Sequence, residues 1–175
     1  MKNIIAAIAF LIIGTSALAQ NNITKAKISF ELKNLGIKTG GVIGGVQGNI
    51  TFDPAKLATS KIEATADVNA INTDNDMRDE HLKRDDYFDV QKYPKMSLSS
   101  VSFKKNSGNN FTGVFNLTVK GITKPIEVPF AYATVATGNL FKGSFKINRK
   151  DFKIGGNSMT MSDDVTINFE AEAAK

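Results

Sequence analysis

The chain has 175 residues, 42% of them hydrophobic, with 22 basic against 17 acidic side chains and neither cysteine nor tryptophan. The net charge of +5 comes from lysines scattered along the chain, without the clustered basic and aromatic stripe of a nucleic-acid interface, so nucleic acid is excluded as a partner. No disulfide can staple the fold, so stability must come from a buried apolar core, which a chain of this length can build as one domain.

Lys2, an apolar run over residues 4–13 and Ala17-Leu18-Ala19 ahead of Gln20 have the layout of a secretory signal peptide. The expected division is a leader, 1–19, cleaved after Ala19, and one domain, 20–175. The apolar run is about half of the roughly 20 residues that a membrane span needs, and no cysteine follows it for lipid attachment. The product is expected to be periplasmic or secreted. Losing Lys2 leaves 21 basic and 17 acidic side chains, a mild excess compatible with transient contact with a membrane surface.

Past the leader the chain reads as strand after strand. Over 25–33, Ala26, Ile28, Phe30 and Leu32 alternate with Lys25, Lys27, Ser29, Glu31 and Lys33, giving one dry face. The next candidate is 42–52, which overlaps a glycine run, Gly40, Gly41, Gly44, Gly45 and Gly48. No helical pattern comes after those glycines, so they are read as barrel corners rather than as a phosphate loop. A third strand, 61–70, alternates Ile62, Ala64, Ala66 and Val68 against Lys61, Glu63, Thr65 and Asp67.

The period then changes. Thr73 with Asp76 three positions on has the form of an N-cap with an acidic N3 residue, predicting a short helix over 74–85. Met77, His81 and Leu82 fall on neighbouring faces, and Asp74/Arg78 and His81/Asp85 are spaced as outward i,i+4 pairs. Five further strands follow at 96–103, 111–119, 126–134, 140–148 and 165–172, punctuated by turn signals such as Asn106-Ser107-Gly108 and Thr137-Gly138-Asn139. About eight long strands with short connections point to an all-β fold: one antiparallel barrel, lipocalin-like, with the helix inserted between strands 3 and 4 and lying at a barrel mouth. Its putative inner faces mix Phe30, Phe115 and Phe130 with the small Ala64, Ala66, Gly113 and Ser100, so periodicity leaves a solid core and a ligand cavity equally open.

Chemistry constellations dissolve on inspection. His81 is the sole histidine, and a zinc site would need Asp79, Asp85, Asp86 and Asp89 in a contrived arrangement. A hydrolase would also depend on His81, yet no Gly-x-Ser-x-Gly elbow is present. No catalytic residue and no metal ligand is assigned, and the chain is read as a non-enzyme.

Three ordered blocks carry a family resemblance: Arg78-Asp79-x-His81-Leu82 with Asp86-Tyr87-Phe88-Asp89 and Tyr93-Pro94, then Asn116-Leu117-Thr118-Val119-Lys120-Gly121-Ile122-Thr123-Lys124-Pro125, then Ile147-Asn148-Arg149-Lys150-Asp151-Phe152. Together they resemble the YceI-like polyisoprenoid-binding family. The resemblance implies a barrel whose apolar tunnel holds an isoprenoid, a quinone-like molecule or a similar long-chain lipid, for transport, storage or sequestration, with no other cofactor. Affinity would then scale with chain length, at about 0.8 kcal/mol per buried methylene. A solid-cored envelope stress or interaction module is the alternative, and an enzyme acting on an isoprenoid lipid a weaker one; pairing of two copies stays open. On the family reading the tunnel is lined by Phe30, Leu32, Ile43, Val46, Met77, His81, Leu82, Phe88, Met96, Leu98, Phe115, Leu117, Phe130, Phe145, Phe152, Met159 and Met161. Arg78, Asp79, Asp86, Asn148, Arg149 and Asp151 are motif residues, with Arg78 and Asp79 read as pinning the helix while His81 and Leu82 face inward, rather than Arg78 or His81 meeting a lipid headgroup.

The chain departs from the family pattern in three places that bear on shape. Ile43 and Val46 belong to a segment where members commonly carry two aromatics, which thins the wall there. Lys153 and Arg84 stand where glycine and a small residue are usual.

Overall fold

The structure is a computed structural model that describes residues 21–174; the predicted signal peptide and its cleavage site lie outside the described residues. Ten strands form one antiparallel sheet: β1 (Asn21–Asn34), β2 (Ile37–Ile43), β3 (Gln47–Thr51), β4 (Lys61–Asp67), β5 (Ile71–Asn72), β6 (Lys95–Lys105), β7 (Asn110–Val119), β8 (Ile122–Val135), β9 (Gly138–Asn148) and β10 (Asp164–Ala173). One helix, α1 (Asp76–Leu82), separates β5 from β6.

These ten strands make eight staves. β2 and β3 are two halves of one bent strand, pairing with opposite ends of β1. β4 and β5 are likewise one stave broken by a 3-10 turn at Val68–Ala70. The last strand returns to the first, with Ile23 opposite Ala173 and Glu31 opposite Thr166, and this pairing closes the barrel. Closure satisfies the main-chain donors and acceptors that an open sheet would leave at two edges. The eight predicted strands thus correspond to the eight staves, with two corrections: the second begins at Ile37 and breaks at 44–46, and the third breaks at 68–70. Both breaks have local causes. Gly45 takes φ +63°, a conformation glycine adopts without steric cost, and Asp67 Oδ1 accepts the Asn69 amide at 2.9 Å to cap the 3-10 turn.

Side chains close both ends. At the floor, the Phe52 ring lies 5.2–5.6 Å from those of Phe103, Phe111, Phe130, Tyr132 and Phe141, mostly edge to face, the arrangement that aromatic quadrupoles favour. At the lid, Val68, Ile71, Val90, Phe152 and Ile154 are buried, and Leu82, Tyr87 and Phe88 pack against them.

The helix is shorter than predicted and is capped by a different residue. Asn75, not Thr73, is the N-cap, its Oδ1 accepting the Arg78 amide at 2.9 Å. Thr73 is buried instead: its hydroxyl donates to Asp79 Oδ1 at 2.5 Å and accepts from Arg78 Nε at 2.8 Å. Asp74, at φ +56°, turns the chain between the two. The predicted i,i+4 pairs are replaced: Arg78 binds Thr73, and His81 faces Asp86 at 3.6 Å.

Candidate functional site

Between floor and lid the barrel is hollow. The cavity has a volume of about 180 Å³, or about 1100 Å³ of non-atom space when its open margins are counted. It is walled by apolar side chains from all eight staves and presents no polar surface; Thr65 and Ser97 adjoin it without offering their hydroxyls. A 150 Å³ apolar cavity in another protein stays dry and takes up benzene or xenon, so this one rejects water and has room for a hydrocarbon segment.

Small residues create the space, though only some of those predicted to. Ala64 and Ala66 line the hollow, joined by Ala26 and Ala171. Gly113 does not: a methyl there would meet the Phe115 ring at 2.3 Å, so its missing side chain accommodates phenyl rings. Ser100 serves the wall, its Oγ accepting the Ile62 amide at 2.9 Å.

Of the predicted lining residues, Ile43, Val46, Met96, Leu98, Phe115, Leu117, Phe130 and Phe145 face the hollow. Phe30, Leu32, His81, Leu82 and Met161 line a second depression at the lid, together with Thr39, Thr73, Arg78 and Tyr87. Four positions need correcting. Phe152 and Phe88 belong to the lid's packed core rather than to a lining. Met77 and Met159 are exposed, at 83% and 104%, because α1 is too short to tuck its first turn inward and Met159 rides the outside of the loop after Ile154. Sequence reasoning missed Ile23, Ile28, Ile147, Ile167 and Phe169, which line the cavity; the inward parity of the last four was legible in the strand alternation, whereas Ile23 lies beyond the predicted strand and comes inward across an irregularity between Ile23 and Lys25.

The motif residues build the lid. Arg78 Nε and Nη2 donate to the Thr73 hydroxyl and carbonyl at 2.8 and 2.7 Å, and Asp79 Oδ1 takes the Thr73 amide at 3.0 Å. Both side chains therefore pin α1 to the end of β5. Arg149, 3% exposed, spends all five guanidinium donors on one loop: Nε to the Ser162 carbonyl (3.0 Å), Nη1 to those of Ile154 (2.7 Å) and Gly156 (2.8 Å), and Nη2 to that of Met161 (3.4 Å) and to Asp163 Oδ1 (2.9 Å). Lys150 Nζ reaches the other Asp163 oxygen at 2.8 Å; with Arg149 it holds the Asp163 carboxyl below the usual carboxylate range. Asn148 Oδ1 caps the 3-10 turn Arg149–Phe152 through the Lys150 amide. Asp86 contributes its carbonyl, which accepts the Gly155 amide at 2.9 Å and ties the helix segment to that loop, while Asp151 is exposed on the turn. His81 stacks edge-on against Tyr87, ring centroids 4.8 Å apart.

A closed eight-stave antiparallel barrel, hollow, dry inside and lidded by one short helix, is a lipocalin-like ligand-binding architecture. Comparison with known proteins makes the class specific: the model of the YceI-like domain matches residues 20–173, and the chain belongs to that family. Among curated relatives, UPF0312 protein YE1254 of Yersinia enterocolitica is 32% identical over 120 residues, which cover 66% of this chain and 62% of that one. The chain thus matches about three fifths of the length of such relatives. Among solved structures, Burkholderia cenocepacia BcnA superposes with a TM-score of 0.81 at 27% identity, covering 86% of this chain and 96% of that one. A Campylobacter jejuni YCEI protein gives 0.70 at 33%, covering 77% and 84%. A polyisoprenoid-binding domain from Saccharophagus degradans, implicated in plant cell wall breakdown, gives 0.66 at 16%, covering 89% and 99%, and shares the fold.

Proposed function

We propose that this chain is a non-catalytic lipid-binding protein that takes the tail of an isoprenoid or similar long-chain amphiphile into its barrel and carries, stores or sequesters it in the bacterial periplasm. The observation that carries the reading is the dry hollow of about 180 Å³ walled by aliphatic and phenyl carbon. Each methylene moved there from water gains about 0.8 kcal/mol, and the wall offers no acid or base to act on a guest. The family membership and the binding named for the Saccharophagus degradans domain support the class of guest. A solid-cored interaction module fits a hollow interior poorly. Transient contact with a membrane surface is where such a guest would be collected.

Solvent extraction of purified protein, followed by mass spectrometry, tests this directly, alongside uptake of added prenyl and acyl lipids. Bound lipid is expected from the natural sequence, and Ala64→Phe, which places a ring in the hollow, should remain folded and take up none. Repeated preparations that yield no lipid and take up none would defeat the reading.

A further inference from the structure

We infer that guests enter and leave the cavity sideways, through a slit in the barrel wall between β1 and the glycine-rich bend joining β2 to β3, with Val46 as its gate. The inference rests on the lipid-binding reading above and adds the route. Both barrel ends are stopped with side chains, the floor by the rings around Phe52 and the lid by the core around Phe152. The ladder round the wall is interrupted at two places: β8 pairs with β9 only between Phe130 opposite Gly143 and Val135 opposite Gly138, where the unpaired ends are packed with Ile122, Ile147 and the buried Phe152, and the second interruption lies between β1 and the bend. β1 pairs with β2 as far as Ile28 opposite Ile43, and with β3 from Asn22 opposite Asn49. Between these points, residues 23–27 and 44–48 run five against five without a ladder. Equal lengths would have allowed the pairing to continue, at the usual separation of about 4.8 Å that leaves no gap between strands.

The bend is drawn the other way. Gly44 donates its amide to the Ala70 carbonyl at 3.0 Å and accepts the Asp67 amide at 3.2 Å. Close packing holds it there: a methyl on Gly45 would meet Asp67 Cβ at 2.6 Å, and one on Gly48 would meet the Glu63 carbonyl at 2.1 Å. The opposite margin is fixed too, since β1 is paired with β10 along this stretch. Three of the five residues of the bend, Gly44, Gly45 and Gly48, bring no side chain to cover the gap, and Gln47 is exposed. Val46 is the residue of the bend that lines the cavity, beside Ile23, Ala26 and Ile28 of β1. Movement of one side chain between two fixed margins is enough to admit a tail.

The test is stopped-flow uptake and release of cis-parinaric acid, a fluorescent long-chain fatty acid. Val46→Trp should slow uptake and release together by about tenfold, a barrier rise of roughly 1.4 kcal/mol, and Val46→Ala should speed both. A residue that only added contact area would alter release alone. Rates unchanged in both Val46 variants, with uptake instead slowed by Leu82→Trp in the lid, would overturn the slit and leave lipid binding intact. Absence of any uptake by the natural sequence would remove both. Val46→Ala keeps the inference falsifiable if the tryptophan variant fails to fold.

Discussion

Truncating Arg149 to alanine should be among the most damaging single changes in this barrel. Five charge-assisted hydrogen bonds at 1.5–3 kcal/mol each would sum to more than about 7 kcal/mol, but that sum overshoots. Gly156 is exposed, Met161 and Ser162 are half-buried and Asp163 is 39% exposed, so water can replace the guanidinium at those partners. The Ile154 carbonyl belongs to a buried residue and would be orphaned, and the space left beneath the lid would cost packing as well. A loss of about 3–5 kcal/mol follows, or roughly 6–20 °C in Tm for a domain of this size. Thermal and urea unfolding followed by circular dichroism would read it. Arg149→Lys should recover only part, since an ammonium carries three donors and cannot span the fork. A loss below about 1 kcal/mol would refute the reasoning, showing that the loop carrying Ile154 and Met161 is held by something other than this side chain.

Lys153 sits at φ +54°, where a side chain costs about 1–2 kcal/mol; Lys153→Gly should therefore raise Tm by a few degrees, and an unchanged or lower Tm would contradict the strain. Asp163 has a carboxyl whose folded-state pKa is depressed below its ordinary value of 3.8, first by its hydrogen bond to Lys150. Its contribution to stability is therefore complete above that unfolded-state value and is lost as pH falls through the lower folded-state one. Unfolding free energies of the natural sequence and of Asp163→Asn should differ by a constant amount near neutrality and converge in acid below 3.8; parallel curves throughout would contradict the pairing.

Strand number, barrel closure and the position of the helix were legible because alternation with a period of two and turn chemistry are local signals. What lay beyond them was decided by tertiary contacts. Thr73 has the sequence position of a cap, but its hydroxyl is worth more buried between Arg78 and Asp79, so the cap passed to Asn75. Gly113 and Ala64 look alike on an inner face, yet one makes way for a phenyl ring and the other for empty space, a difference set by the partner strands. Met77 and Met159 read as core because methionine is apolar; their exposure depends on how far a seven-residue helix and an irregular loop reach. Arg149 was flagged by its motif, whereas its fivefold grip spans residues 149–163 and has no signature in spacing.

Because the chain lacks tryptophan, its ultraviolet emission comes from three tyrosines, and two of them mark opposite ends of the barrel. Tyr132 lies among the floor rings with its hydroxyl on Asn139 Oδ1 at 2.9 Å, and Tyr87 lies under His81 at the lid. The protein is in effect dyed at both poles, and a single tryptophan placed anywhere between them would be spectrally isolated, so that filling of the barrel could be watched without attaching a label.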